Sequence, residues 1–322
     1  MERGSHSGRC GSGFHAIIML RFILFIFIIS AQVFSDTFPT ALGDCTLEIY
    51  GGRVEDIPEI VQQILDETEN LVNEFGTVDS RPFSVYITSN MDDFREKSKG
   101  PIPEWGIAVA KLNPDRAILK SPGIANISFT RMKEVIIHEL NHIYMFRIPN
   151  YYTIPSWFKE GMAMRSSNEF SLLHKIEISN SYWKKQTLPL QRLRNFSTYS
   201  KGRVKLVYGE SAAAVEALEY YYGEDILISI LNKMRLGSDF QQALESASGE
   251  ELLDFQIKFE LYLENNFNWV FLLRASKYIF VILPIILILG FIYHRRRGKK
   301  IVKQWEIEEQ LEDLERDKEL PN

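Results

Sequence analysis

The chain has 322 residues, 45% hydrophobic and 25% charged, a globular composition that excludes disordered, collagen-like and polytopic classes. The net charge of −5 is unevenly spread: between position 36 and position 294, 26 basic residues face 33 acidic ones, a net of −7, which argues against nucleic acid as the partner. Two cysteines, Cys10 and Cys45, are too few for a disulfide scaffold, a Cys-rich zinc site or a four-Cys iron–sulfur cluster.

In chain order, Arg21 precedes the apolar run Phe22–Ile29, and small residues follow near Val33 and Ser35. That pattern predicts a signal peptide over 1–35, with Met19 as an alternative start. Ile57, Ile60, Val61, Ile64, Leu65, Leu71, Val72 and Phe75 recur at helical spacing. Phe83–Ile87 alternates as a strand does, and 106–110 and 116–120 predict two more strands, joined through a turn at Asn113-Pro114-Asp115. Ser128 or Thr130 can cap a helix running to Phe146, and Pro149 and Pro155 bracket a loop. After Tyr208 the composition predicts helices at 210–222, 224–236, 238–247 and 250–265. The uncharged stretch Tyr278–Tyr293 ends at a basic cluster, Arg295 to Lys300. It predicts a transmembrane helix over 270–293, extracytoplasmic residues 36–268 and a cytoplasmic tail, 294–322. The protein is then expected at a cell membrane as a single-pass chain. Its outer part is α/β over 36–165 and mainly helical over 166–268.

The chemistry centres on His138-Glu139-Leu140-Asn141-His142. Residues four apart lie on one face of a helix, one turn apart, so two imidazoles can reach one metal ion with Glu139 beside them to hold a water. A catalytic zinc takes a third protein ligand and keeps a position open. Glu160, 18 residues after His142 in Trp157-Phe158-Lys159-Glu160-Gly161-Met162-Ala163, can return on a second helix after the Pro-bounded loop.

These two motifs resemble those of the gluzincin metallopeptidases, which include the aminopeptidase N and thermolysin families and the peptidase MA-like domains. The resemblance extends over about 80–265 through Val207-Tyr208-Gly209-Glu210, Tyr222-Gly223-Glu224-Asp225 and Asp239–Gly249. It implies an α+β zincin-type domain, a mixed sheet with an active-site helix followed by a helical subdomain. It implies one Zn²⁺ per chain held by His138, His142 and Glu160, and Glu139 as general base. It further implies Tyr208 as donor to the tetrahedral intermediate and a peptide or protein as substrate. Among the residues themselves, Tyr152, in the loop between the ligands, is the next candidate donor and His174 the third. The Gly-x-Met-Glu-Asn motif with which aminopeptidases of this clan grip a free amine is missing upstream of His138, so aminopeptidase activity is not implied. Two other readings use the same residues: a non-catalytic surface binding or scaffold module, and a zinc hydrolase of a non-peptide bond. A scaffold has no use for Glu139.

Overall fold

The computed structural model describes residues 33–319 apart from 52–53, 101–105, 194–195, 197–198 and 269–270. The expected leader falls mostly on residues 1–32, outside the described residues. Its last three residues, Val33 to Ser35, instead open a strand, β1 (Val33–Thr40), and pair with Tyr50, Ile49 and Glu48 of β2 (Gly43–Tyr50). The sequence reading left β1 and β2 unassigned, because polar residues interrupt both.

Together with β3 (Phe83–Thr88), β4 (Ala108–Lys111) and β5 (Arg116–Lys120), these strands form one mixed sheet ordered β1-β2-β3-β5-β4. β2, β3 and β5 run parallel in its centre, while β1 and β4 are antiparallel edges. Parallel neighbours need a crossover, and helix α1 (Ile57–Phe75) supplies the one from β2 to β3. α1 starts with a proline in its first turn and ends at Gly76, whose φ of 88° suits glycine. Its buried Ile57, Ile60, Val61, Ile64, Leu71 and Phe75 form the predicted stripe. A short helix, α2 (Met91–Ser98), packs on β3 and β5. The β4–β5 hairpin matches the expected strands and turn within two residues.

α3 (Phe129–Met145) carries the first motif and packs against α1, β4 and β5. Ser128 is its N-cap and accepts the Arg131 N–H at 3.1 Å, which decides between the two expected caps. α4 (Ser156–Ser166) carries the second motif. α5 (Leu172–Trp183), α6 (Lys201–Tyr222), α7 (Ile226–Arg235), α8 (Phe240–Ser248) and α9 (Leu252–Phe267) complete the helical part. α4 and α6 lie in close contact through Gly161, where a Cβ would sit 2.4 Å from the Ser211 carbonyl oxygen and 2.5 Å from Val215 Cγ2. One hydrophobic core runs from the sheet through α1, α3 and α4 into α6–α9.

The transmembrane helix expected over 270–293 is corrected. Residues Phe271–Glu319 form one helix, α10, and among the described residues no helix is long and apolar enough to cross a membrane. The uncharged run is confined to Tyr278–Tyr293 and contains Pro284; at about 1.5 Å per residue it reaches about 24 Å, short of the ~30 Å hydrocarbon layer.

Candidate active site

α3 presents His138 and His142 on one face, with ring centroids 4.9 Å apart. α4 enters after the Pro155 turn and anchors itself by burying Trp157 and Phe158 against Phe240. Its next turn brings Glu160 back. Glu160 Oε2 lies 3.4 Å from His138 Nε2 and 3.5 Å from His142 Nε2. One ligand atom from each of the three residues falls within 4.8 Å of the others, a spacing that can hold a metal ion. Asn141, buried behind the histidines, donates from Nδ2 to Ser166 Oγ at 2.9 Å and ties the C-terminal ends of α3 and α4 together.

The donor set fits a cation. Glu160 Oε2 is buried and without a hydrogen-bond partner, as is Glu139 Oε2, and buried carboxylate oxygens are costly unless something satisfies them. Two imidazole nitrogens and a carboxylate oxygen suit zinc. Burial works against the charge of Glu160, but His142 and His138 outweigh it and hold its pKa below the usual carboxylate range. Burial likewise pulls His138 down, and Glu160 and Glu169 outweigh it, so these carboxylates hold the imidazole well above its ordinary value. Glu139 is pushed up, chiefly by burial, the direction a proton acceptor needs in order to pass its proton on.

The structure adds a carboxylate that the sequence reading missed. Glu169 Oε2 lies 3.4 Å from His138 Nδ1, on the side of the ring facing away from Glu160, and Glu169 Oε1 lies 3.1 Å from the Arg131 guanidinium. It is therefore placed to orient the His138 ring. Glu169 follows α4 in a loop, so no periodicity marks it. The one local signal is Asn168, at φ 54°, a left-handed position that asparagine tolerates and that turns the chain back after the helix.

Tyr208 lies in the interior of α6, not at its start, because the helix begins at Lys201, nine residues earlier than expected. Its ring packs edge-on to His138 at 6.3 Å and against Phe196 at 5.0 Å. Burial, with Glu160, Glu139 and Glu169 nearby, raises its pKa well above the ordinary value, so the phenol keeps its proton and can donate. Tyr152 is 81% exposed and does not line the cleft. His174 does line it, but its Nδ1 is occupied by its own helix start, accepting the Ser171 N–H at 3.3 Å, and burial lowers its pKa.

These side chains face a cleft of about 650 Å³ whose walls are β4 with the residues before it, α3, the end of α4 and the first turns of α6. Glu139, His138, Glu169 and Tyr208 all line it. A mixed sheet backed by a helix with this His-Glu-His face, and a second helix returning a glutamate, define a zincin-like α+β domain of peptidase type. The chain belongs to the Peptidase MA superfamily, whose profile matches residues 64–265. It is similar to the uncharacterized protein YhcO of Bacillus subtilis (strain 168), 24% identical over 180 residues, 53% of this chain and 50% of that protein. The chain thus spans about half the length of that curated relative. Among solved structures it is similar to an M1 zinc metallopeptidase from Deinococcus radiodurans, with 12% identity, TM-score 0.42, and 72% of this chain and 52% of that one covered. It is also similar to an aminopeptidase N family protein from Idiomarina loihiensis, with 12% identity, TM-score 0.41, and 73% and 41% covered.

Proposed function

We propose that the chain is a zinc-dependent peptidase whose metal is held by His138, His142 and Glu160. The observation that carries this reading is the convergence of those three ligand atoms within 4.8 Å beside a buried, unpartnered Glu139 oxygen. When bound, zinc supplies Lewis-acid polarisation of the scissile carbonyl and acidification of a water. Glu139 takes a proton from the attacking water at Oε2 and delivers it to the leaving nitrogen. The Tyr208 hydroxyl donates to the oxyanion as it develops. Glu169 holds the His138 ring through Nδ1. β4, at the sheet edge beside the cleft, offers backbone for an extended peptide to pair with.

The test is metal content and hydrolysis measured side by side. About one zinc per chain is expected in the unsubstituted protein and in Glu139→Gln, with strong loss in His142→Ala. Peptide hydrolysis should fall at least 100-fold in both variants. A folded chain that takes up no zinc when zinc is supplied would overturn the reading.

We further propose that the domain is held at a membrane surface, without crossing it, through the exposed apolar side chains of 280–293. What supports this is the row of exposed apolar side chains there, Phe280, Val281, Ile282, Leu283, Ile285 and Ile286 among them. Co-flotation of the full chain with phospholipid vesicles is the expected result; a chain that stays at the bottom of the gradient would refute attachment.

A further inference from the structure

Beyond the zinc-ligating and proton-transfer residues, the cleft carries an uneven set of charges. Its floor and walls are largely apolar: Ile107 and Ala108 from the β4 side, Val135 from α3, Met164 from α4 and Val204 from α6. Arg131 also lines it, but its guanidinium is held by Glu134 at 2.7 Å and Glu169 at 3.1 Å. Glu169 is in turn shared between Arg131 and His138, so this pair presents no net charge to a ligand. Burial keeps His174 neutral near pH 7.

Lys205 is different. It is exposed, it lines the cleft, and among the described residues no carboxylate lies within ion-pairing distance of it. It is near enough to His174 to act on that imidazole electrostatically. Lys205 stands one helical turn before Tyr208 on α6, and side chains three apart on a helix lie on one face about 5–6 Å apart. An extended peptide advances about 3.3 Å per residue. A group held by Lys205 is therefore within one or two residues of a bond whose oxyanion meets Tyr208. Gly202, one turn earlier still, lines the mouth with open space where a side chain would be. The first turn of α6 also adds the positive end of a 22-residue helix to the same side of the cleft.

We infer that Lys205 is a specificity residue that selects a substrate carboxylate next to the scissile bond, on an otherwise apolar peptide. The inference rests on the peptidase reading and names the substrate class of that site. The carboxylate can be an Asp or Glu side chain or a free C-terminus, since both offer the same acceptor to an ammonium group.

The experiment uses the full chain carrying Glu139→Gln, loaded with zinc, so that bound peptides stay intact. The probes are fluorescein-labelled alanine-rich heptapeptides in matched pairs, Glu against Gln at each position in turn, and C-terminal acid against C-terminal amide. Binding is followed by fluorescence anisotropy. The acidic member of at least one pair should bind about tenfold more tightly, and the pair that shows this identifies the source of the carboxylate. The preference should vanish on adding Lys205→Met and reverse on adding Lys205→Glu, with zinc content unchanged. Equal binding within every pair, or a preference that survives Lys205→Met, would overturn the inference. Parallel digestion of the same peptides by the unsubstituted chain separates the two readings. Cleavage without a carboxylate preference overturns the role of Lys205 alone, whereas carboxylate-selective binding without any cleavage overturns the hydrolase and upholds Lys205 as the selector.

Discussion

Tyr208 illustrates how much one side chain depends on its surroundings. The hydroxyl is useful only while protonated, and burial among Glu160, Glu139 and Glu169 keeps it so. Tyr208→Phe retains the ring that packs on His138 and Phe196 and removes only the donor. We expect kcat to fall 10²–10³-fold, about 2.7–4 kcal/mol of transition-state stabilisation, with KM and zinc content little changed. Steady-state kinetics beside metal analysis checks this, and a loss confined to KM would assign Tyr208 to binding alone. Glu169 is the counterpart that sequence reasoning did not reach. A loop carboxylate nine positions after Glu160 has no spacing rule to announce it, and only the turn at Asn168 directs it onto His138.

At the scale of elements, the site depends on how α4 meets α3 and α6. Gly161 directly follows Glu160 and allows the close approach of α6. Gly161→Ala would drive a Cβ into the Ser211 carbonyl and Val215, forcing the helices apart. Overpacking of this kind costs about 1–3 kcal/mol, so thermal stability should drop by several degrees and zinc affinity should weaken as Glu160 moves. Unchanged melting and zinc affinity would show that the contact relaxes freely. Within α6, Glu210 is wholly buried and its carboxylate accepts the Leu188 N–H at 3.3 Å. Burial pushes its pKa up to about 8. A carboxyl whose folded pKa is raised adds stability that is full below the unfolded pKa, near 4.5, and lost as pH rises through about 8. Glu210→Gln keeps an acceptor for Leu188 and removes the ionisation. It should be close to neutral at pH 5 and more stable than the unsubstituted chain by about 2 kcal/mol at pH 8.5, a fraction of the full linkage value. Denaturant melts at the two pH values measure this; equal differences at both would show that Glu210 ionises freely in the fold.

Across the whole molecule, the sheet and the active-site helix are clamped where α3 ends. The Arg147 side chain is fully buried and donates to the Leu42 and Arg81 carbonyls, while its Nε lies 3.3 Å from Asp115 Oδ2. It thereby links the β1–β2 turn, the start of β3 and the β4–β5 hairpin to the helix that carries His138 and His142. Arg147→Met would leave the Arg81 carbonyl without its donor, the Leu42 carbonyl with only the Arg81 N–H at 3.3 Å, and Asp115 with Arg81 alone, at 2.9 Å. A loss of about 3–5 kcal/mol is expected, read as a lower denaturation midpoint, with residual folded protein still binding zinc. A loss below about 1 kcal/mol would mean that Arg81 compensates.

The sequence by itself determined what local rules govern. Helical spacing placed α1 within its observed bounds, Pro and Asn placed the β4–β5 turn, and the His-Glu-x-x-His spacing put two imidazoles on one face because a helix repeats every 3.6 residues. It also offered Glu160 as the third ligand, though only in company with the His-Glu-x-x-His motif, after a Pro-bounded loop that allows a second helix to return. Only the tertiary structure decided what depends on contacts between distant segments. It set the pairing of β1 and β2, the true start of α6, and the seat of Glu169 on His138. It excluded Tyr152 from the cleft and left Lys205 as the cation there that no acid neutralises among the described residues. The physical reason is that periodicity and capping act within a few residues of chain, whereas burial, charge balance and ring orientation are set by neighbours tens of residues away.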